Sequence, residues 1–294
     1  MQAPALCLLN PHAAGGRCAA LAAPLREALE RVPLYLPDDV NAARERLLSL
    51  PPRSRVLVAG GDGTVHQLLP ALVERELELA LLPGGTGNDL ARALGLHGLD
   101  LRAALEKARH GLAGAMDLGQ VQADGRSHFF MSSLALGFDA AVGRRALAAP
   151  RWLRGQPRYV WATLAEISRL RRYPLTLHAE GQLLHEGEVL FASSLNTESY
   201  ASGMPVAPGA RIDDGRLELV CVGRYGRLGA LAAMPALLMG QHLRLPGIFM
   251  RRMQTLQIDS PIELPLALDG EPIPAARSLT VTVRPLALRV VRGG

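Results

Sequence analysis

Three short apolar runs, each followed at once by a turn rich in glycine or asparagine, constrain the fold of this chain most strongly. They are ALCLLN at residues 5–10, RVLVAG at 55–60 and LALLPG at 79–84. Continuous apolar runs of this length are typical of strands buried in a sheet. Between them lie helical patterns, including VNAARERLLSL after Asp39 and DLRAALEKARHG at 100–111. Strands that alternate with helices predict a parallel α/β sheet.

The second half of the chain has a different pattern. From about residue 121, strand-like runs such as EVLFASSLN and LTVTVRPLALRVV are separated by turn residues, with helical insertions near 157–172 and 227–243. This pattern predicts a mainly β domain, either a sandwich or an open barrel. We therefore predict an α/β N-terminal domain over residues 1–120 and a β-rich domain over 121–294. Whether the last strand returns to the first domain is left open.

The turns that follow the three strands carry polar residues and many glycines. Their sequences are NPHAAGG, GGDGT and PGGTGND. In a parallel sheet the carboxyl ends of the strands share one edge, where free amides and helix N-termini favour anions. Thr64, Thr86, Asn10 and Asn88 add hydrogen-bonding side chains to these turns. The three turns together predict a cradle for phosphate groups, although they lack the spacing of the Gly-x-Gly-x-x-Gly dinucleotide fingerprint.

The scarcity of lysine excludes two classes of nucleotide-binding site. Among 32 basic residues, Lys107 is the one lysine, and it lies in an amphipathic helical pattern. A Walker A loop and a protein kinase each need a lysine at the phosphates. A nucleotide bound by this chain is therefore held by backbone amides, arginine, polar side chains and metal.

The glycine-rich turns resemble those of a known protein family. GGDGT at 60–64 together with GGTGND at 84–89 is similar to the diacylglycerol kinase catalytic domain, in particular that of bacterial lipid kinases similar to diacylglycerol and sphingosine kinases. The later segments SLALGFDAAV, LNTESYASGMPVAPGARIDDGRLELV and LDGE follow in the family's order. The resemblance implies an ATP-binding, Rossmann-like α/β domain of the NAD-kinase and diacylglycerol-kinase type, followed by a β-rich domain for a lipid substrate.

The resemblance also implies which residues bind and react. Asp214, with the backbone carbonyls of Arg211 and Arg216, matches a magnesium-binding turn, and Glu271 with Asp269 matches a catalytic acidic pair. The implied nucleotide-binding residues are Asn10, Pro11, Gly15, Gly61, Asp62, Gly63, Thr64, Val65, His66, Gln67, Thr86, Asn88 and Asp89.

The chemistry of phosphoryl transfer assigns roles to the acidic residues. Asp62 is a third catalytic candidate, placed to hold Mg²⁺ directly or through water. Glu271 is the candidate general base, with Asp269 as its orienter or its rival. The residues alone leave simpler interpretations open, because Asp-Gly is also a strong signal for a β-turn. Asp117 and Asp139 are interpreted as capping residues.

These features predict an enzyme. We expect an ATP- and Mg²⁺-dependent lipid kinase that transfers the γ-phosphoryl group to a hydroxyl of a diacylglycerol- or sphingoid-like lipid. Two alternatives stay open: an NAD kinase-like phosphotransferase, and a non-catalytic regulator that binds nucleotide or lipid with the same fold.

Charge and hydropathy together predict where the protein works. Eight arginines and one acidic residue lie between Arg144 and Arg172, mixed with large apolar residues, a composition suited to an anionic membrane surface. The alternative is a helix whose arginines are solvated. We expect a cytoplasmic protein, because the N-terminus lacks a signal-peptide pattern. We expect it to associate peripherally with membranes, because of this arginine-rich segment. With 4% aromatic residues and no binding motif, a nucleic-acid partner is not expected, and a homodimer is left open.

Overall fold

The computed structural model describes residues 4–29, 31–85, 87–150 and 152–292, and it divides the chain into two units. The first unit comprises residues 1–116 together with 286–294, and the second comprises residues 117–285. The predicted boundary at 120/121 lies shortly after this division.

The described residues form the following strands, in chain order: β1 (Leu6–Leu9), β2 (Leu34–Tyr35), β3 (Arg55–Gly60), β4 (Glu78–Pro83), β5 (Ala113–Ala123), β6 (Arg126–Phe130), β7 (Ser133–Leu136), β8 (Tyr173–Ala179), β9 (Gln182–Val189), β10 (Phe191–Leu195), β11 (Leu217–Val222), β12 (Ile248–Met253), β13 (Thr255–Leu268) and β14 (Glu271–Val291).

The α-helices of the described residues are α1 (Ala22–Ala28), α2 (Val40–Leu48), α3 (Asp62–Glu74), α4 (Asp89–Ala93), α5 (Leu101–His110), α6 (Phe138–Leu147), α7 (Gln156–Ile167) and α8 (Arg227–Leu238). Two short 3₁₀ turns cover Arg17–Leu21 and His242–Arg244.

A parallel sheet forms the first unit, as the sequence predicts. The strand order is β2-β1-β3-β4, with the end of β14 added beside β4, and every one of these pairings is parallel. All residues of β1 and β3 are buried, because helices cover the sheet. Asp39 and Asp100 cap α2 and α5, each accepting a hydrogen bond from the amide three residues later, at 2.8 and 2.7 Å.

An ion-pair cluster holds the last strand in the first unit. Arg289 and Val290 of β14 pair with Glu78 and Leu79 of β4. The buried Glu78 carboxylate forms ion pairs with Arg55 and with Arg289, the latter at 3.3 Å. A buried carboxylate needs such partners, because burial without them destabilises its charge.

The second unit is mainly antiparallel. Its central strands follow the order β12-β11-β10-β7-β13-β14, while β8 pairs with β13 and β9, and β5 pairs with β6. Strand β8 alternates buried and half-buried residues, the pattern of a strand with one face on a core. Its core includes Phe130, Leu134, Leu177 and Leu266. The predicted mainly β character of the C-terminal domain is confirmed.

Candidate functional site

Three turns at the carboxyl ends of β1, β3 and β4 are bonded to one another in the first unit. Asn10 Nδ2, after β1, donates to Thr64 Oγ1 in the first turn of α3 at 2.8 Å. The Gly84 amide, after β4, donates to the Gly60 carbonyl at 2.8 Å. Cys18 Sγ donates to the Gly84 carbonyl at 3.1 Å. These bonds bring the three predicted phosphate-binding turns together at one edge of the sheet.

The paired glycines of these turns are required by the contact between the turns themselves. A Cβ added at Gly61 would lie 2.8 Å from the Gly85 Cα, and one at Gly85 would lie 2.7 Å from the Gly61 Cα. A Cβ at Gly60 would lie 2.7 Å from Thr64 Oγ1. Backbone atoms cannot give way as a flexible side chain can. The glycines are therefore required for the close packing of the two turns, in addition to letting a ligand approach the backbone.

Asp62 joins the second turn to the third. Its two carboxylate oxygens accept hydrogen bonds from the Asp89 and Leu90 amides, each at 3.1 Å. These amides lie at the start of α4, where backbone N–H groups lack partners within the helix. A carboxylate there also interacts favourably with the helix dipole. The structure gives Asp62 a positioning contact, and its magnesium-binding role stays a prediction.

The substitution Asp62→Asn is expected to destabilise the first unit. Asparagine offers one acceptor oxygen where two amides need acceptors, and an unsatisfied buried donor costs about 1–3 kcal/mol. Urea unfolding should show a lower midpoint for Asp62→Asn, while the exposed Asp38→Asn should match the parent protein. Equal midpoints for all three proteins would contradict this role.

The remaining predicted nucleotide-binding residues differ in how accessible they are to a ligand. Gly15 has a φ of 69°, and a Cβ there would meet nothing within 4 Å, so the first turn is open to a ligand at this point. Val65 is fully buried, and its amide already donates to the Gly61 carbonyl, so it has a packing role. Gln67 is exposed in α3. The half-exposed members are Pro11, Gly63 and His66. Thr86 lies outside the described residues.

Asn88 shapes the third turn. It adopts a left-handed backbone with a φ of 54°, a conformation that asparagine tolerates better than most residues. Its side chain closes the turn by accepting from the Gly85 amide at 2.9 Å and donating to the Gly85 carbonyl at 3.0 Å. The neighbouring Asp89 is nearly buried at the start of α4. Both predicted residues therefore have structural contacts that fix the turn.

In the second unit, Asp269 and Glu271 flank the tip of a hairpin. Leu268 of β13 pairs with Glu271 of β14, and the two residues between them, Asp269 and Gly270, have φ values of 50° and 85°. Positive φ at both central positions is the requirement of a tight hairpin turn, for which Asp-Gly is favoured. The β-turn interpretation of LDGE is thus correct, and it places one carboxylate on each side of the turn glycine.

The two carboxylates of this hairpin have different surroundings. Asp269 accepts hydrogen bonds from three consecutive amides, Met131, Ser132 and Ser133, at 3.0, 2.8 and 3.1 Å. It thereby fixes the segment that leads into β7. Within the described residues, the half-buried Glu271 side chain has no hydrogen-bond or ion-pair partner. Glu271 is the member of the pair whose carboxylate is available to a substrate.

The predicted metal-binding turn is closed by ion pairs and hydrogen bonds. Asp214 Oδ1 accepts from the Arg216 amide at 3.1 Å, and Oδ2 forms an ion pair with Arg252. Arg252 also contacts Glu218 at 3.1 Å, and burial raises the pKa of the Glu218 carboxyl. The exposed Arg211 lies 3.7 Å from Asp213.

The ion pair between Asp214 and Arg252 affects how readily this turn could bind Mg²⁺. Mg²⁺ prefers carboxylate and carbonyl oxygens and requires strict octahedral geometry. The Asp214 carboxylate already faces the positive charge of Arg252, so it would bind Mg²⁺ only after exchanging that partner. We therefore assign no reaction step to a metal at the Asp214 turn.

Three buried polar residues support these segments, and sequence reasoning missed or misread them. Asp117 Oδ2 accepts from the Gly215 amide at 2.7 Å, so it positions the Asp214 turn, where the sequence suggested a cap. Asn196 Nδ2 donates to the carbonyls of Asp117 and Met131 at 2.7 and 2.9 Å. The sequence signal for Asn196 was a single amide side chain directly after the apolar run that forms the buried strand β10. Asp139, in the first turn of α6, accepts from Ser193 Oγ at 2.6 Å, and burial raises its pKa.

Two families match consecutive parts of the chain. Residues 4–121 match the family described as "Diacylglycerol kinase catalytic domain". Residues 132–292 match the family described as "YegS C-terminal NAD kinase beta sandwich-like domain". Together the two matches cover nearly all of the described residues.

Named relatives and solved structures agree with these matches. A diacylglycerol kinase of Mycobacterium tuberculosis (strain H37Rv) is 34% identical over 241 residues, which is 81% of this chain and 76% of that protein. A probable YegS-like lipid kinase of Pseudomonas aeruginosa is 31% identical over 242 residues, 80% of this chain and 75% of that protein. A crystal structure of a diacylglycerol kinase from Bacillus anthracis has a TM-score of 0.73 at 19% identity, covering 99% of this chain and 97% of that one. At that identity the structure shows a shared fold.

Proposed function

We propose that this chain, which belongs to the diacylglycerol kinase family of lipid kinases, transfers the γ-phosphoryl group of ATP to a hydroxyl group of a diacylglycerol- or sphingoid-like lipid. The main support for this proposal is that the turns at the carboxyl ends of β1, β3 and β4 are hydrogen-bonded to one another. A ligand at this edge faces the N-terminus of the 13-residue helix α3. Such an edge is where α/β sheets bind phosphates.

The donor set of the turns fits a triphosphate. The Thr64 and Val65 amides of α3 donate to the Gly61 carbonyl at 3.0 and 3.2 Å, so the Gly63 amide ahead of them is the donor that we propose for a phosphate. Gly61 and Gly63 carry no side chains that would hold phosphate oxygens away. Asn10 and Thr64 fix the first turn against α3 through their hydrogen bond. Asp62 and Asn88 fix the third turn in the same way. In this proposal the side chains hold the turns, and the amides bind the phosphates.

Glu271 is the proposed general base. Phosphoryl transfer needs a group that takes the proton of the attacking hydroxyl, together with positioning and charge neutralisation. Glu271 has an uncommitted carboxylate, whereas Asp269 is a positioning residue that holds the hairpin through three amides. Mg²⁺ bound with ATP would supply neutralisation of the triphosphate charge.

We further propose peripheral contact with an anionic leaflet through the exposed sides of α7 and α8. Within the described residues, no helix combines the length and apolar character that crossing a bilayer requires. Four apolar side chains of α8 and its C-terminus are strongly exposed: Leu228 (83%), Leu231 (46%), Leu238 (39%) and Met239 (67%). Trp161 and Leu164 of α7 are exposed as well. Apolar side chains beside arginines, such as Arg154 and Arg227, suit a membrane surface.

Replacing Leu228 with glutamate is expected to weaken binding to anionic vesicles by about tenfold, because one leucine leaves the leaflet and a negative charge is added. Sedimentation with phosphatidylglycerol vesicles measures this. Leu183→Glu is the matched control, since Leu183 is also exposed but lies on β9. Equal binding of both variants and the parent protein would rule out contact through α8.

The proposed activity is tested by incubating the protein with ATP, Mg²⁺ and separate acceptors: diacylglycerol, sphingosine, monoacylglycerol and NAD. We expect a phosphorylated lipid, detected by its added mass, and no phosphorylated NAD. Phosphorylation of NAD without any lipid product would favour the alternative enzyme class. ATP binding without any product would favour a regulator.

A further inference from the structure

One guanidinium group bridges two carboxylates of the second unit. Arg252 of β12 is paired with Glu218 of β11 in the sheet, so their side chains lie on the same face. Arg252 Nε contacts Glu218 Oε1 at 3.1 Å, and Arg252 Nη2 forms an ion pair with Asp214 Oδ2. Both carboxylates are largely buried, while about half of the Arg252 side chain is exposed. The guanidinium group therefore lies between the two carboxylates.

These two carboxylates need a positive charge beside them. A carboxylate that is buried without a partner strongly destabilises a fold. Glu218 Oε2 is buried and has no hydrogen-bond partner among the described residues. Burial raises the pKa of Glu218, while the positive charge of Arg216 lowers it. Asp214 accepts a hydrogen bond from the Arg216 amide at Oδ1, so its ion pair with Arg252 is made by the other oxygen.

The position between the two carboxylates is also where a divalent cation would bridge them. Mg²⁺ requires octahedral coordination by oxygen, which a guanidinium group in the same position prevents. Within the part of the chain that the structure describes, no group of three or more His, Cys, Asp or Glu side chains is arranged to hold a metal ion. Arginine stays charged at any ordinary pH and can donate to two carboxylates through separate N–H groups. Arg252 thus supplies a permanent charge that is part of the chain.

Other protein contacts hold the Asp214 turn from its opposite side. Asp117 Oδ2 accepts a hydrogen bond from the Gly215 amide at 2.7 Å, and the Asp117 amide donates to the Ile212 carbonyl at 2.6 Å. Gln254 Nε2 lies 3.4 Å from the Gly215 carbonyl oxygen. Protein atoms from β5 and from the start of β13 therefore fix the backbone of this turn.

We propose that Arg252 is a built-in cation that takes the place of a divalent metal ion at the Asp214 turn, so that this turn folds without Mg²⁺. In this proposal Asp214 is a partner of Arg252 instead of a metal ligand. The inference goes beyond the proposed kinase function, in which Mg²⁺ is bound with ATP, and does not depend on it. Removing the guanidinium group should leave two adjacent carboxylates, which a divalent cation can then bind.

Thermal unfolding without nucleotide tests the first consequence. Arg252→Met should lower the Tm by about 5 °C or more, because it leaves a buried carboxylate unpaired. About 10 mM MgCl₂ should restore most of this loss, whereas NaCl of equal ionic strength should not. The matched control is Arg251→Met, which removes an exposed arginine from the neighbouring position of β12. The parent protein and Arg251→Met should each have the same Tm in both salts.

Binding of Mn²⁺ tests the second consequence, because Mn²⁺ takes the same oxygen ligands and is counted by electron paramagnetic resonance. We expect Arg252→Met to bind one more Mn²⁺ for each chain than the parent protein. The double variant Arg252→Met/Asp214→Asn should lose this additional ion. The parent protein and Asp214→Asn should bind equal numbers of ions.

Two results would overturn the inference. The first is an Asp214→Asn protein that binds one Mn²⁺ fewer than the parent protein, since the turn would then hold a metal ion despite Arg252. This comparison decides the question even if Arg252→Met does not fold. The second is a folded Arg252→Met protein that gains neither Mn²⁺ binding nor stability from MgCl₂. No measurement here uses ATP or a lipid, so failure of the kinase proposal would leave these results unchanged.

Discussion

Glu271→Gln is expected to lower kcat for lipid phosphorylation by roughly 10²- to 10⁴-fold, the contribution of a positioned general base. Glutamine keeps the size and shape of the side chain but cannot accept the hydroxyl proton. The contacts of the glycine-rich turns are untouched, so the Kd for ATP should stay the same. Because Glu271 has no partner among the described residues, thermal stability should also be retained. Steady-state kinetics with ATP and a lipid acceptor, together with calorimetric ATP binding, measure both quantities.

Two further variants make this prediction specific. Glu263→Gln removes an exposed carboxylate from β13 and should leave kcat unchanged. Asp269→Asn should act mainly on stability, because asparagine cannot serve the three amides that Asp269 accepts from. A Glu271→Gln protein with parental kcat would remove Glu271 from the reaction. A kcat loss in Asp269→Asn with parental stability would make Asp269 the base instead.

Gly85→Ala is expected to separate the second and third turns and to weaken ATP binding by about tenfold or more. The new Cβ would lie 2.7 Å from the Gly61 Cα and from Asn88 Oδ1, so the backbone of one turn must move. Overpacking of this kind destabilises a protein by about 1–3 kcal/mol. The amides of both turns would then lose their common arrangement. Urea unfolding and calorimetric ATP titration measure the two effects.

The matched control for Gly85→Ala is Gly143→Ala in helix α6. A Cβ at Gly143 meets nothing within 4 Å, so the same chemical change should be neutral or stabilising by about 0.5–1 kcal/mol. If Gly85→Ala binds ATP as tightly as Gly143→Ala, then contact between the turns does not organise the phosphate site.

Local patterns were sufficient for the elements and for the turns. The apolar runs became β1, β3 and β4, and the two helical patterns became α2 and α5, which Asp39 and Asp100 cap. These features depend on residues within a few positions of each other, which is the range over which periodicity and capping act. The fold class was predictable for the same reason.

The roles of individual carboxylates depended on partners far away in the sequence. The sequence could not choose between Asp269 and Glu271, because the three amides that Asp269 binds lie at residues 131–133. Likewise, nothing near Asp214 signals its ion pair with Arg252. Asp62 accepts from the amides of Asp89 and Leu90, which lie on a different helix. The family resemblance and the chemistry of phosphoryl transfer identified these residues as candidates, and tertiary contacts distinguish a positioning carboxylate from an available one.

The central claim is that the backbone amides of the glycine-rich turns hold the phosphates of ATP. Amide hydrogen exchange with and without ATP and Mg²⁺ tests it directly. We expect exchange to slow by about tenfold or more in peptides covering residues 60–67 and 84–90, because bound amides exchange only after the ligand leaves. Saturating ATP that slows exchange elsewhere, with these two segments unchanged, would contradict the account.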